Sequence, residues 1–221
     1  WNTSDGAFVG YAGSGTLNLQ NGGAARMGVG FIGYDGLGTG VVNVTGAGSK
    51  LTTTSTNGAG LFVGYYGSGT VNISDGGRVQ VGNDTFSSGT AAQMVIGDTN
   101  QVIGTMIVSR GTVNNSGSAY VGATSGKIGR VDVGGANSVW NNATGLYLGA
   151  QSATTNGGVG SLYAGTGGRV QIGNDAFDGG TTAELVVGDT VASNGTLTIR
   201  NGSLVNISGN SLLGASSGTT G

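Results

Sequence analysis

Short runs of apolar residues, alternating with polar ones and closed by glycine, recur along this chain. The first kind reads Phe8-Val9-Gly10, Phe31-Ile32-Gly33, Phe62-Val63-Gly64, Val95-Ile96-Gly97, Tyr120-Val121-Gly122, Tyr147-Leu148-Gly149, Val186-Val187-Gly188 and Leu212-Leu213-Gly214. A second kind follows most of them, as in Gly15-Thr16-Leu17-Asn18-Leu19, Gly40-Val41-Val42-Asn43-Val44 and Gly69-Thr70-Val71-Asn72-Ile73. A third, weaker run comes after a Gly-rich turn: Arg78-Val79-Gln80-Val81, Thr112-Val113-Asn114, Arg169-Val170-Gln171-Ile172 and Ser203-Leu204-Val205-Asn206. Alternation with a period of two is the mark of strands with one buried face. The unit recurs at intervals of roughly 29 residues, a solenoid period. Turns of Gly, Ser, Asn and Asp separate the runs, and these residues accept tight corners.

Three short strands per unit, none able to bury its apolar side alone, predict an all-β fold. It is a right-handed parallel β-helix, a β-solenoid, of roughly seven to eight rungs stacked about 4.8 Å apart. Such a rod is on the order of 35 Å long. A longer period overlies the short one. Gly77-Arg78-Val79-Gln80-Val81-Gly82-Asn83-Asp84 returns as Gly168-Arg169-Val170-Gln171-Ile172-Gly173-Asn174-Asp175. A block of about three rungs, residues 77–125, thus matches residues 168–217. No linker or compositional break interrupts the pattern, so residues 1–221 read as one continuous solenoid segment of a longer chain.

The alternation also assigns faces. In the second run Leu17/Leu19, Val42/Val44, Val71/Ile73, Met106/Val108, Val131/Val133 and Leu197/Ile199 point inward. Asn18, Asn43, Asn72, Asp132, Tyr163 and Thr198 then point out, where a polar row stabilises stacked strands by side-chain ladders. In the first run Val9, Ile32, Val63, Ile96, Val121, Leu148 and Val187 point inward. That leaves Phe8, Phe31, Phe62, Val95, Tyr120, Tyr147, Val186 and Leu212 on the outside, with Tyr11, Tyr34, Tyr65 and Tyr66 just past the glycines. An apolar stripe on a solvent face needs a reason. One reason is structural: rings stacked at the rung spacing, or covered by a loop. The other is functional. Phe8, Phe31, Phe62, Tyr120, Tyr147, Tyr11, Tyr34 and Tyr65 then form an interaction surface for a second chain or for sugars.

Composition narrows the picture. Glycine supplies 50 of 221 residues, and Pro, Cys and His are absent. That much glycine excludes a helical domain. The missing Cys and His exclude disulfides, common zinc sites and a His-based triad. Charged residues are only 8%, the net charge is −2, and eight Lys and Arg are too few for a nucleic-acid partner. No apolar stretch approaches a membrane span, and the start at Trp1-Asn2-Thr3 has no signal-peptide pattern, so the chain reads as a piece of something longer.

Candidate chemistry is sparse. Asp98 and Asp189 occupy equivalent places, as do Asp84 and Asp175, and such repetition points to turns at strand corners. Calcium is the one cofactor to consider, with Asp75, Asp84 and Asp175 as candidates. The Gly-Gly-x-Gly-x-Asp repeat of calcium-binding β-rolls is missing, however. A polysaccharide lyase or hydrolase needs paired carboxylates or a calcium-and-base cluster, and no unit breaks the repeat with such a cluster.

Two longer strings carry a family resemblance. Val42-Asn43-Val44-Thr45-Gly46-Ala47-Gly48-Ser49 continues into the stretch from Gly60 to Gly77. Val133-Gly134-Gly135-Ala136-Asn137-Ser138-Val139-Trp140-Asn141-Asn142 is the other. Both resemble the repeat shared by bacterial type V secretion (autotransporter) passengers and PEP-CTERM-associated surface proteins. The resemblance covers nearly the whole chain. It implies an extracellular or cell-surface β-helical stalk, often from an adhesin, and it supplies no catalytic residues. Several units lack the Trp, and neither a C-terminal barrel nor a sorting tail is visible. The expectation is a non-enzymatic structural and adhesive rod: a surface stalk, or a self-associating component of a fibre or biofilm matrix. Its partners are copies of itself, end to end or side by side. A glycan- or host-matrix-binding module using the aromatic stripe is the alternative, and a polysaccharide-active enzyme ranks third.

Overall fold

A computed structural model describes residues 1–55, 58–82, 92–98, 102–124, 126–149, 158–173, 183–188 and 193–214. The described residues contain strands and turns and no helix. They form three parallel sheets, one of eight strands and two of seven. The chain visits the three in strict rotation. Sheet 1 begins with Ala7–Val9, sheet 2 with Ser14–Gln20 and sheet 3 with Ala24–Met27. Gly30–Ile32 then returns to sheet 1 beside Ala7–Val9. This is a parallel β-helix with three strands per rung, and right-handed crossover is the rule for parallel strands so connected.

The register holds with little slippage. In sheet 2, Asn18, Asn43, Asn72, Ile107, Asp132, Tyr163 and Thr198 form one column. In sheet 1 a register shift occurs between Gln93 and Met94. Glycine keeps the sheet 1–sheet 2 corner tight. Gly33 has φ +73°, and a Cβ there would lie 2.1 Å from the Ser68 carbonyl oxygen of the next rung. Gly40 is the complementary case. A Cβ on it would meet the Val9 carbonyl oxygen at 2.1 Å. Backbone packs on backbone at this corner, so only glycine fits.

The core is a single aliphatic column down the axis, including Ile32, Val63, Ile96, Val121 and Leu148 from sheet 1. Val42, Val71, Met106, Val131 and Leu162 come from sheet 2, and Leu51, Val79, Val113 and Val170 from sheet 3. Burying each such side chain is worth roughly 1.5–3 kcal/mol. Leu17 is only partly buried and Ile199 is exposed, although both occupy inward positions. They lie on the outermost described strands of sheet 2, with a neighbouring strand on one side only.

Sheet 3 supplies the third strand of each rung, as expected, also in rungs where the sequence shows no clear third run. Seven strands form it, and Ala24–Met27, Lys50–Thr53 and Val139–Asn142 join the four expected runs. In Lys50–Thr53 and Val139–Asn142 an inward position carries a polar residue, Thr53 and Asn142, and in Ala24–Met27 the inward Ala25 and Met27 are apolar but follow an outward Ala24 that blurs the alternation. Trp140 is fully buried, as are Thr53, Asn115 and Asn142. Asn115 Nδ2 donates to Asn142 Oδ1 at 3.1 Å and to the Gly117 carbonyl at 3.0 Å, inside the helix. Two buried amides thus bond along the axis where an aliphatic ladder was the simpler expectation.

Candidate interaction surface

The outward column of sheet 1 runs Phe8, Phe31, Phe62, Val95, Tyr120, Tyr147, Val186, Leu212. Parallel in-register pairing sets identical side chains above one another at the rung spacing, close to the stacking distance of aromatic rings. Phe8 stacks on Phe31 and Phe31 on Phe62, with centroids 5.1 Å apart and planes within 10°. A second column stands beside it, from the residue after the corner glycine. Tyr11 stacks on Tyr34 at 5.0 Å, and Tyr34 on Tyr65 at 5.4 Å. The columns meet edge to face: Phe8 on Tyr11 at 5.3 Å, Phe31 on Tyr34 at 5.2 Å and Phe62 on Tyr65 at 5.3 Å. Tyr66 extends the cluster at a right angle to Tyr65. Seven rings over three rungs therefore form a herringbone plate.

The plate is partly open to solvent. Phe8 is 44% and Tyr11 56% exposed, Tyr66 is exposed, and Phe31, Phe62, Tyr34 and Tyr65 are half-buried. Stacked rings cover each other's faces and present their edges outward.

The stripe does not continue evenly. Val95 and Val186 hold outward positions but are only 3% and 4% exposed. This corrects the expectation that both face solvent. Each sits in register beside a longer ring, Val95 between Phe62 and Tyr120 and Val186 beside Tyr147. Tyr120 and Tyr147 form a separate stacked pair at 5.0 Å, and the Tyr147 hydroxyl donates to Glu184 Oε2 at 3.3 Å. The eight residues proposed from sequence thus divide between one six-ring group and one distant pair.

Asp98 stands next in the Tyr11–Tyr34–Tyr65 column, each residue following its corner glycine. Burial holds its carboxyl above the usual range, and Lys127 pulls it partly back. The Tyr65 phenol is pushed up, first by burial and then by Tyr66, Asp98 and Tyr34. The reading of Asp98 as a corner residue gave no sign of this electrostatic influence on the rings.

Of the three calcium candidates, Asp84 and Asp175 lie outside the described residues, as does Asp189. Asp75 sits at a corner with φ 53° and forms an exposed ion pair with Arg110 of the next rung. That pair engages its Oδ1. Among the described residues, no three His, Cys, Asp or Glu side chains converge. Arg169, one of the repeated arginines, donates to Gln171 Oε1 at 3.2 Å along its own strand. Comparison with protein-family models, curated proteins and solved structures finds no match to this chain.

Proposed function

We propose that this chain is a non-enzymatic, extracellular structural and adhesive rod, and that copies of it associate side by side through the plate on sheet 1. The observation that carries this reading is the plate itself: seven contiguous rings on an outward sheet face, with Phe8, Tyr11 and Tyr66 exposed. Exposed apolar patches rimmed by polar residues are where proteins associate. The stacked geometry favours an apolar protein partner over sugar. A sugar packs its CH face on an open ring face, whereas interior rings here offer edges. A second copy offers matching ring edges and ring ends. The low charge supports close lateral packing, because few ions need desolvating. The described acids Asp5, Asp35, Asp75, Asp98, Asp132 and Glu184 are spread along the rod with no three converging, which supports a mechanical role over an enzymatic one.

The test is sedimentation velocity and negative-stain electron microscopy of the 221-residue chain at neutral pH, with and without EDTA. Lateral assemblies are expected, and EDTA should not dissolve them. Phe31→Ser with Phe62→Ser should abolish them. Because those rings also brace one another, Tyr11→Lys with Tyr66→Lys, at exposed positions, is the second variant, its fold checked by circular dichroism. Assemblies that persist in the folded Lys variant rule the reading out. Assemblies that EDTA dissolves would instead point to a metal-held contact.

A further inference from the structure

Sheet 2 carries a different feature two rungs beyond the point where its outward asparagines end. The outer column begins as a ladder: Asn43 Nδ2 donates to Asn18 Oδ1 at 2.7 Å, and Asn72 Nδ2 to Asn43 Oδ1 at 2.8 Å. The next residues in register are Ile107, Asp132 and Tyr163, and the ladder stops. The neighbouring outward column changes in the same rungs, from Thr45, Ser74 and Ser109 to Gly134 and Gly165. These two glycines make room. A Cβ on Gly165 would meet Tyr163 Cε1 at 2.4 Å, and one on Gly134 would meet Asp132 Oδ1 at 3.2 Å. Both side chains therefore bend along their own strands over glycine. The result is a cleft of about 300 Å³, lined by Ile107, Ser109, Asp132, Gly134, Tyr163 and Thr166.

The chemistry of this lining is specific. Asp132 and Tyr163 are half-buried, and the structure gives neither side chain a hydrogen-bond or ring partner among the described residues. Burial holds the Asp132 carboxyl above its usual range. Tyr163 thus differs from the rings of sheet 1, whose faces are covered by stacking. Around it stand hydroxyls (Ser109, Thr166), exposed backbone at the glycines, and one exposed aliphatic side chain, Ile107. Among the described residues no cation lines the cleft, and the exposed Arg130, two residues before Asp132 on the same face, disfavours a cationic ligand. A ligand that fits must be uncharged, rich in hydroxyl donors, and must carry a CH face for an aromatic ring. The volume is at the lower end of ligand sites.

We propose that this cleft binds a neutral saccharide unit, with Tyr163 packing against a sugar ring and Asp132 accepting hydrogen bonds from its hydroxyls. The inference rests on sheet 2 and is independent of association through sheet 1, so the two can fail separately. The test is a titration of ring-labelled tyrosine protein, followed by NMR, with cellotetraose, maltotetraose and N-acetylchitotetraose as probes. The Tyr163 resonance is assigned from its loss in Tyr163→Phe. At least one probe should shift it saturably. Asp132→Asn and Tyr163→Ala should each weaken binding about tenfold or more, read for the latter from the remaining labelled rings or by calorimetry. Phe8→Ala should leave binding unchanged. Three outcomes overturn the proposal: no probe shifts Tyr163; binding is unaltered in both folded cleft variants; or a Lys-rich peptide binds the cleft as the sugars do not.

Discussion

The first three rungs and the rungs after them use one backbone plan for different ends. In the first three, the outward positions repeat. Phe8, Phe31 and Phe62 stack, Tyr11, Tyr34 and Tyr65 stack beside them, and Asn18, Asn43 and Asn72 bond in a row on the next sheet. A repeated side chain on a parallel sheet finds its own copy one rung away, so its flanks are covered by its neighbours while its outer edge stays open. Beyond them the outward positions diverge. Val95 replaces the ring, Ile107 replaces the Asn, and Asp132 and Tyr163 are left without side-chain partners among the described residues. Repetition builds continuous surfaces whose members brace one another, while its failure leaves single side chains without a like neighbour.

The contrast breaks most visibly at the rings. Phe31 contacts Phe8, Phe62, Tyr34 and Tyr65, whereas among the described residues the second stack comprises only Tyr120 and Tyr147. Each aromatic pair is worth about 0.5–1.5 kcal/mol beyond area burial. Phe31→Ala is therefore expected to cost about 3 kcal/mol and Tyr147→Ala about 1 kcal/mol in urea unfolding. Equal costs would mean that the plate gains nothing from its length.

The asparagine row gives a middle-sized effect. Asn43 bonds to both neighbours, so Asn43→Ala should cost about 1–2 kcal/mol. The reverse change sharpens the comparison. Ile107→Asn places an amide beside Asn72 and should add about 0.5 kcal/mol by extending the ladder one rung. A loss of stability in that variant would show that the ladder's end is set by packing and not by residue identity.

The smallest effect concerns Asp98, where the ring column gives way to a carboxyl. Its native carboxyl holds a proton to higher pH than the unfolded one, near 3.8, because burial disfavours the charge. The native state therefore binds more protons in that window. Stability from this group is full below the unfolded value and falls as pH rises through it towards the native value. Asp98→Asn should flatten this slope and raise Tm near pH 7 by about 1–3 °C, the gain limited by the lost attraction to Lys127. Melting curves from about pH 4 to pH 7 check it, and parallel wild-type and variant profiles would remove Asp98 as their source.

Much of the fold can be read from the chain because it depends on local regularities. Alternation with a period of two shows which side of each strand is apolar, as at Val42 and Val44, and glycine at each corner marks where strands end. The repeat then stacks like on like, so the aromatic and asparagine columns are legible before any coordinates. The third strand at Val139–Asn142 is less so, because its inward residues, Trp140 and Asn142, do not form an aliphatic pattern.

What the sequence alone determined is thus the rung, its three strands, and the residues that share a column. Only the tertiary structure decided which members of a column are covered. Val95 is apolar and outward, yet buried, although alternation by itself would leave it at the surface. It also decided that Asp132 and Tyr163, about 30 residues apart, share one cleft over two glycines. The physical reason is that alternation is set by each strand's own backbone. Coverage depends on the size of neighbours a full rung away and on the exact path of the corners between them.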